Sequence, residues 1–155
     1  MLVRFFVALA LGAILGVERE LVKKEAGVRT EMLVAGGAAL FAMIGITLPY
    51  ITAAALSGGA SGAGILPDVT TVNAGIAVIA NIVVGIGFLG AGLIIKMKDH
   101  PSNVTTAAIV WTTAAIGAMV GIGLISFAAT AAFFIALLLF FLRKLNISER
   151  LEKEL

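Results

Sequence analysis

Three stretches of this chain carry no charged side chain: Met32 to Pro67, Val69 to Ile95, and Pro101 to Leu142. A helix needs about 20 apolar residues to cross a hydrocarbon core about 30 Å thick, and the last stretch is long enough to cross it twice. Inside hydrocarbon each backbone N–H and C=O has to be satisfied within its own segment, so these stretches are expected to be helical. Composition agrees, with 61% of residues hydrophobic and 13% charged, against roughly 45–50% and 25% in soluble domains. The pattern predicts an all-α membrane protein, a bundle of five transmembrane helices. Their expected spans are Leu2–Val17, Met32–Ala54, Ala74–Ile95, Thr105–Ile122 and Ser126–Leu142.

The connections orient the bundle. Glu18 to Glu31 holds Arg19, Lys23, Lys24 and Arg29, whereas Pro49 to Asn73 has no Lys or Arg and only Asp68. Lys96 and Lys98 follow the third helix, no charge separates the fourth from the fifth, and Arg143, Lys144, Arg150 and Lys153 lie in the tail. Lys and Arg favour the cytoplasmic side. Five passes with the N-terminus outside and the C-terminus cytoplasmic satisfy every connection. The competing reading makes Leu2 to Gly16 a cleaved signal peptide, but it would deliver the basic segment that follows to the outer side. Arg4 is expected to snorkel to the interface.

Residues 1–155 read as a single transmembrane domain, with 142–155 a short cytoplasmic helical tail and SGGASGAG (57–64) a flexible outer loop. There is no cysteine, hence no disulfide framework or zinc-thiolate site, and a net charge of +2 grouped at helix ends is no nucleic-acid footprint.

Gly85-Ile-Gly87-Phe-Leu-Gly90 spells G-x-G-x-x-G, the turn that cradles a dinucleotide pyrophosphate. That turn follows a strand and has an acidic residue about 20 positions on. Here the motif sits inside an uncharged helix, and Val110 and its neighbours are not acidic. No nucleotide is expected. As helix-packing residues the glycines make sense: Gly85 and Gly92 share one face with Asn81, and Gly87 and Gly90 point the other way. Small residues let helix backbones approach closely in lipid, so helix three is expected to be central, sandwiched between two others. Gly12-x3-Gly16 and Gly117-x3-Gly121 carry the same close-packing pattern.

The polar residues of the spans are few. TTAAI at 105–109 recurs at 112–116, placing Thr105 with Thr112 and Thr106 with Thr113 in stripes. Back-bonding of the hydroxyls within the helix is preferred over a polar pathway. For Asn81, structural glue and a ligand site stand side by side. No Asp, Glu, Lys, Arg or His lies within the cores of helices two to five, which weakens a coupled transporter. His100 is the one histidine and sits in a predicted loop, so no catalytic set is visible and no enzyme is expected.

The richest polar segment is GVERELVKKEAGVRTE, 16–31. Lys23, Lys24 and Glu25 read as a solvated loop, whereas Glu18, Arg19, Arg29 and Thr30 are expected to form an ordered network at the membrane edge. A divalent-cation site on Glu18, Glu20 and Glu31 is the competing arrangement, but the interspersed Arg and Lys argue against it, and no metal or cofactor is assigned.

GVERE (16–20), AGVRTEMLVAGGAALFA (26–42), VGIGFLGAGLI (84–94) and TTAAIVWTTAAIGAMVG (105–121) together resemble the N-terminal membrane domain of the MgtC/SapB family. The resemblance implies a multipass protein of the prokaryotic cytoplasmic membrane with five helices. It also implies a link to tolerance of magnesium limitation or acid stress, acting as a modulator of other membrane proteins. The positions it singles out are Glu18, Arg19, Glu20, Arg29, Thr30, Gly85, Gly87, Gly90, Gly92, Thr105, Thr106 and Trp111. Departures are Ala77 and Asn81 where many members have Arg and Gln, Glu31 where many have Asn or His, and a long Gly-rich loop before helix three. The soluble C-terminal domain of some members has no counterpart here. The leading expectation is a homo-oligomeric membrane module with lipid-embedded partners. The alternative is a small ion or solute channel lined by Asn81 and the Thr105/Thr112 stripe.

Overall fold

A computed structural model describes residues 1–21, 24, 26–56, 67–95 and 103–144. Five helices follow in chain order: α1 Leu2–Leu21, α2 Val28–Leu56, α3 Val69–Ile95, α4 Val104–Ile122 and α5 Ile125–Lys144. There is no strand among the described residues. Four helices, α2 to α5, are long and apolar enough to cross a membrane. The remaining one, α1, carries Arg4 near one end and Glu18, Arg19 and Glu20 near the other.

Helix ends fall further out than the charge pattern predicts. Arg29, Thr30 and Glu31 belong to the first turns of α2 and not to a loop. The long uncharged connection shrinks because α2 runs through Pro49 to Leu56 and α3 begins at Val69. Pro49 has no N–H to give to the carbonyl four residues back, that of Gly45. Packing uses the opening: a Cβ on Gly75 of α3 would collide with the Gly45 oxygen, and one on Gly45 would meet the Gly75 oxygen at 2.7 Å. Asp68 accepts from the Val69 N–H at 2.8 Å and from the Thr70 hydroxyl as α3 starts. Those two hydrogen bonds, Thr70 first, hold its carboxyl below the usual range.

Helix three is not the centre of the chain. The middle belongs to α2, which packs against α1, α3 and α4, and to α4, which packs against all four others. The core at their junction is small-sided: Ala8 and Leu15 of α1, Ala35, Ala39 and Met43 of α2, Ile116 and Val120 of α4, Ala128 and Ala132 of α5. Gly12 and Gly16 of α1 lie on α2, where added Cβ atoms would sit 2.5 Å from the Glu31 carbonyl oxygen and 2.5 Å from the Val28 Cα. Gly117 and Gly121 of α4 lie on the other side of α2, against Ala35 and Ala39. Close-packing pairs thus clamp α2 from both flanks. On α3, among the described residues, only Gly75 and Ile86 are buried. Gly85, Gly87 and Gly92 have nothing within 4 Å of a Cβ, and Gly90 meets only the Ala107 methyl at 3.7 Å. The glycine pattern marks faces that can be approached, and within this chain three of those four positions stay open.

The α4–α5 corner turns on Gly123, at φ 103°, whose N–H reaches the Val120 oxygen while the Leu124 N–H reaches that of Met119. This is a Schellman end, which needs a left-handed residue. Arg4 closes it: its guanidinium donates to the Gly121 carbonyl at 3.0 Å and lies over Gly123. Arg4 thus caps a helix C-terminus, where a cation is favoured by the helix dipole. The predicted tail 145–155 and the SGGASGAG loop lie outside the described residues.

Candidate functional site

Where α1 ends and α2 begins, a polar knot joins the two helices. Arg19 Nε donates to Glu18 at 2.6 Å, both side chains being nearly buried. Glu20 reaches across and accepts from the Val28 N–H at 3.0 Å, placing a carboxylate on the orphan donors of a helix N-terminus. Arg19 and Glu18 form the one ion pair among the described residues. The expected network of Glu18, Arg19, Arg29 and Thr30 is therefore divided. Its α1 half pairs with itself, and its α2 half looks elsewhere.

Arg29 and Thr30 line the end of a groove of about 740 Å³ between α2 and α3. The walls are mostly apolar, from Leu33, Phe41 and Leu89 among others, with Asn81 and Gly85 on the α3 side. Gly37 on the α2 side also has nothing within 4 Å of a Cβ, so neither wall is filled at its glycine. Asn81 is exposed, which in a bilayer leaves an amide facing hydrocarbon unless something pairs with it. The groove brings together Arg29, Thr30, Asn81 and Gly85 from two predicted clusters far apart in sequence.

Thr105 and Thr112 do not line this groove. Thr105 is exposed, and the Thr112 hydroxyl donates to the Ala108 carbonyl at 2.7 Å within its own helix. Trp111 stands half-exposed on the outside of α4. The inward stripe is the other one. Thr106 and Thr113 are buried, and neither hydroxyl has a hydrogen-bond partner; the buried Asn103 just before α4 has a side-chain amide nitrogen in the same condition.

Glu31 is expected from the sequence beside Glu18 and Arg19 at the membrane edge or as a metal ligand, and its full enclosure is what residue-by-residue reading misses. It is 0% exposed, and both carboxylate oxygens lack a partner. Thr113 and Arg19 are the polar groups facing it. Among the described residues no three acidic or histidine side chains converge as a metal site would require. The missed signal is a matched spacing: Glu31, Ala35 and Ala39 on α2 run in step with Thr113, Gly117 and Gly121 on α4.

The model of the MgtC family matches residues 5–147. Protein MgtC of Brucella abortus is 41% identical over 128 residues, covering 83% of this chain and 45% of that protein. Protein SrpB of Synechococcus elongatus is 38% identical over 144 residues, covering 88% of this chain and 71% of that protein. Protein MgtC of Salmonella typhimurium is 35% identical over 116 residues, 75% of this chain and 41% of its own length. The chain spans less than half the length of these two MgtC relatives. No solved structure matches it.

Proposed function

The chain belongs to the MgtC family, and from that premise we propose that it is a multipass protein of the bacterial cytoplasmic membrane that modulates other membrane proteins by helix docking. Five passes put its N-terminus outside and its C-terminus in the cytoplasm. It raises tolerance to magnesium limitation or acid stress through lipid-embedded partners, one of which is a second copy of itself, and it catalyses no reaction.

One observation carries this reading. The α3 face bearing Asn81, Gly85 and Gly92 is uncovered in the chain, as is Gly87 on the opposite side. In water such a face would be unremarkable. In lipid, small residues and an amide favour association with another helix, through close packing and an interhelical hydrogen bond. The neighbouring groove, with Arg29 and Thr30 at its end, offers the incoming helix a second wall.

The chain has no cysteine, so a single Gly92→Cys substitution, on the face that carries Asn81, reports on neighbours cleanly. Oxidative cross-linking in membranes is expected to trap a disulfide-linked homodimer, and Asn81→Leu is expected to reduce that product several-fold. Growth of a deletion strain at low magnesium should then be restored by the native chain and not by Asn81→Leu. Purified protein in liposomes should pass no ions. Robust ion flux abolished by Thr112→Val would instead establish the channel reading.

A further inference from the structure

Glu31 sits in a layer built for small side chains. One turn further along α2, Ala35 meets Gly117, and one turn beyond that Ala39 meets Gly121. On the α1 side, a Cβ on Gly16 would lie 3.2 Å from the Glu31 Cβ, and one on Gly12 2.5 Å from the Glu31 carbonyl oxygen. The carboxylate is thus closed in by α1 and α4, at 0% exposure, with no hydrogen bond to either oxygen. An ionised carboxylate in that condition is strongly disfavoured.

Three things can neutralise it. A metal ion would need more oxygen ligands than are assembled among the described residues. Arg19 faces it from α1, but the guanidinium makes no ion pair with it and instead pairs with Glu18 through Nε at 2.6 Å. Among the described residues the other charges of the packed elements are engaged or directed elsewhere. On α1, Arg4 caps α4, Glu18 pairs with Arg19 and Glu20 accepts from Val28. Helices α3 and α4 carry none, α5 has only Arg143 and Lys144 in its last turn, and Arg29 of α2 lines the outer groove. The third is a proton. A neutral carboxyl has one donor and can still accept, and the unpartnered Thr113 hydroxyl that faces it can do both. The hydroxyl can donate to only one oxygen of an ionised carboxylate and leaves its charge unpaired, whereas a neutral carboxyl exchanges a hydrogen bond with Thr113 and carries no charge.

We propose that Glu31 is a proton-binding site inside the bundle, occupied while α1 and α4 are closed on α2, and shared by hydrogen bond with Thr113. Separation of the three helices admits water, and the proton passes to it from the carboxyl oxygen. The site is independent of the α3 face on which the docking reading rests.

Infrared difference spectroscopy on the full chain in detergent tests this directly. At neutral pH the native protein minus Glu31→Gln is expected to show one protonated-carboxyl C=O stretch. Thr113→Val should shift that band to higher frequency, because the carboxyl loses its hydroxyl partner. A native protein without the band, or one that gains it only in Arg19→Gln, would overturn the proposal, the second outcome making Arg19 the counter-ion. Denaturation at neutral pH gives a second reading that does not depend on band assignment. A folded state holding the proton releases about one more proton per chain on unfolding than Glu31→Gln does. Equal release from the two proteins would also overturn it.

Discussion

The α1–α2–α4 seam and helix α3 use the same residues to opposite ends. In the seam, Gly12, Gly16, Gly117 and Gly121 bring backbones so close that any Cβ would strike a neighbouring helix. On α3, Gly85, Gly87 and Gly92 face open space. Glycine in a helix costs about 1 kcal/mol relative to alanine, a cost that close packing offsets in the seam. Nothing within the chain offsets it at those three positions of α3. The difference teaches that a small-residue pattern states where a helix can be approached, and leaves open whether the approaching helix belongs to the same chain.

The comparison can be broken most directly at Gly117. Gly117→Leu drives a side chain into the Ala35 backbone and is expected to destabilise by about 3 kcal/mol or more, read as loss of monodisperse protein in detergent. A well-folded variant would show the seam to be looser than described. Next in size is Gly123→Ala, which forces a Cβ onto a residue at φ 103° beneath Arg4; about 1 kcal/mol is expected in thermal unfolding.

Gly87→Leu sharpens the contrast from the other side. With open space at this position, monomer stability should change by no more than about 1 kcal/mol, while the dimer population read by sedimentation in detergent falls sharply. Collapse of the monomer would mean that α3 is packed within the chain after all. The smallest effect is expected at Asp68, exposed at the start of α3. Its folded carboxyl ionises more readily than in the unfolded chain, so its contribution is present above the unfolded value and fades as pH falls through the folded one. Asp68→Ala should remove that acid-side slope from a pH titration of stability and leave the neutral region nearly unchanged.

Much of the site was legible before the fold. The positions able to approach closely on α1 and α4, and the separation of Glu18 and Arg19 from exposed Lys24, follow from local chemistry. Other features were not legible. Arg4 and Gly121 are 117 residues apart, and nothing local links a cation near the N-terminus to the end of α4. Glu31 borders a charged segment, so its neighbours in sequence suggest an exposed side chain. The choice of Thr106 and Thr113 over Thr105 and Thr112 as the buried stripe is likewise a choice between two faces of one helix that carry the same residue.

By itself the sequence determined that this is a helical chain with several apolar segments, where those segments break, and which positions lack side-chain bulk. Charge-free length and the need to satisfy backbone polar groups in hydrocarbon are sufficient for that. Only the tertiary structure decided that α2 and α4 are central, that α3 is peripheral, and that Glu31 is enclosed. The physical reason is that lipid is as apolar as a protein core, so hydropathy loses its power to distinguish inside from outside. Among the four candidate spans, α3 is thoroughly apolar and yet the least buried. Which face of a helix is covered then depends on steric fit between particular backbones, and that fit exists only once the helices are brought together.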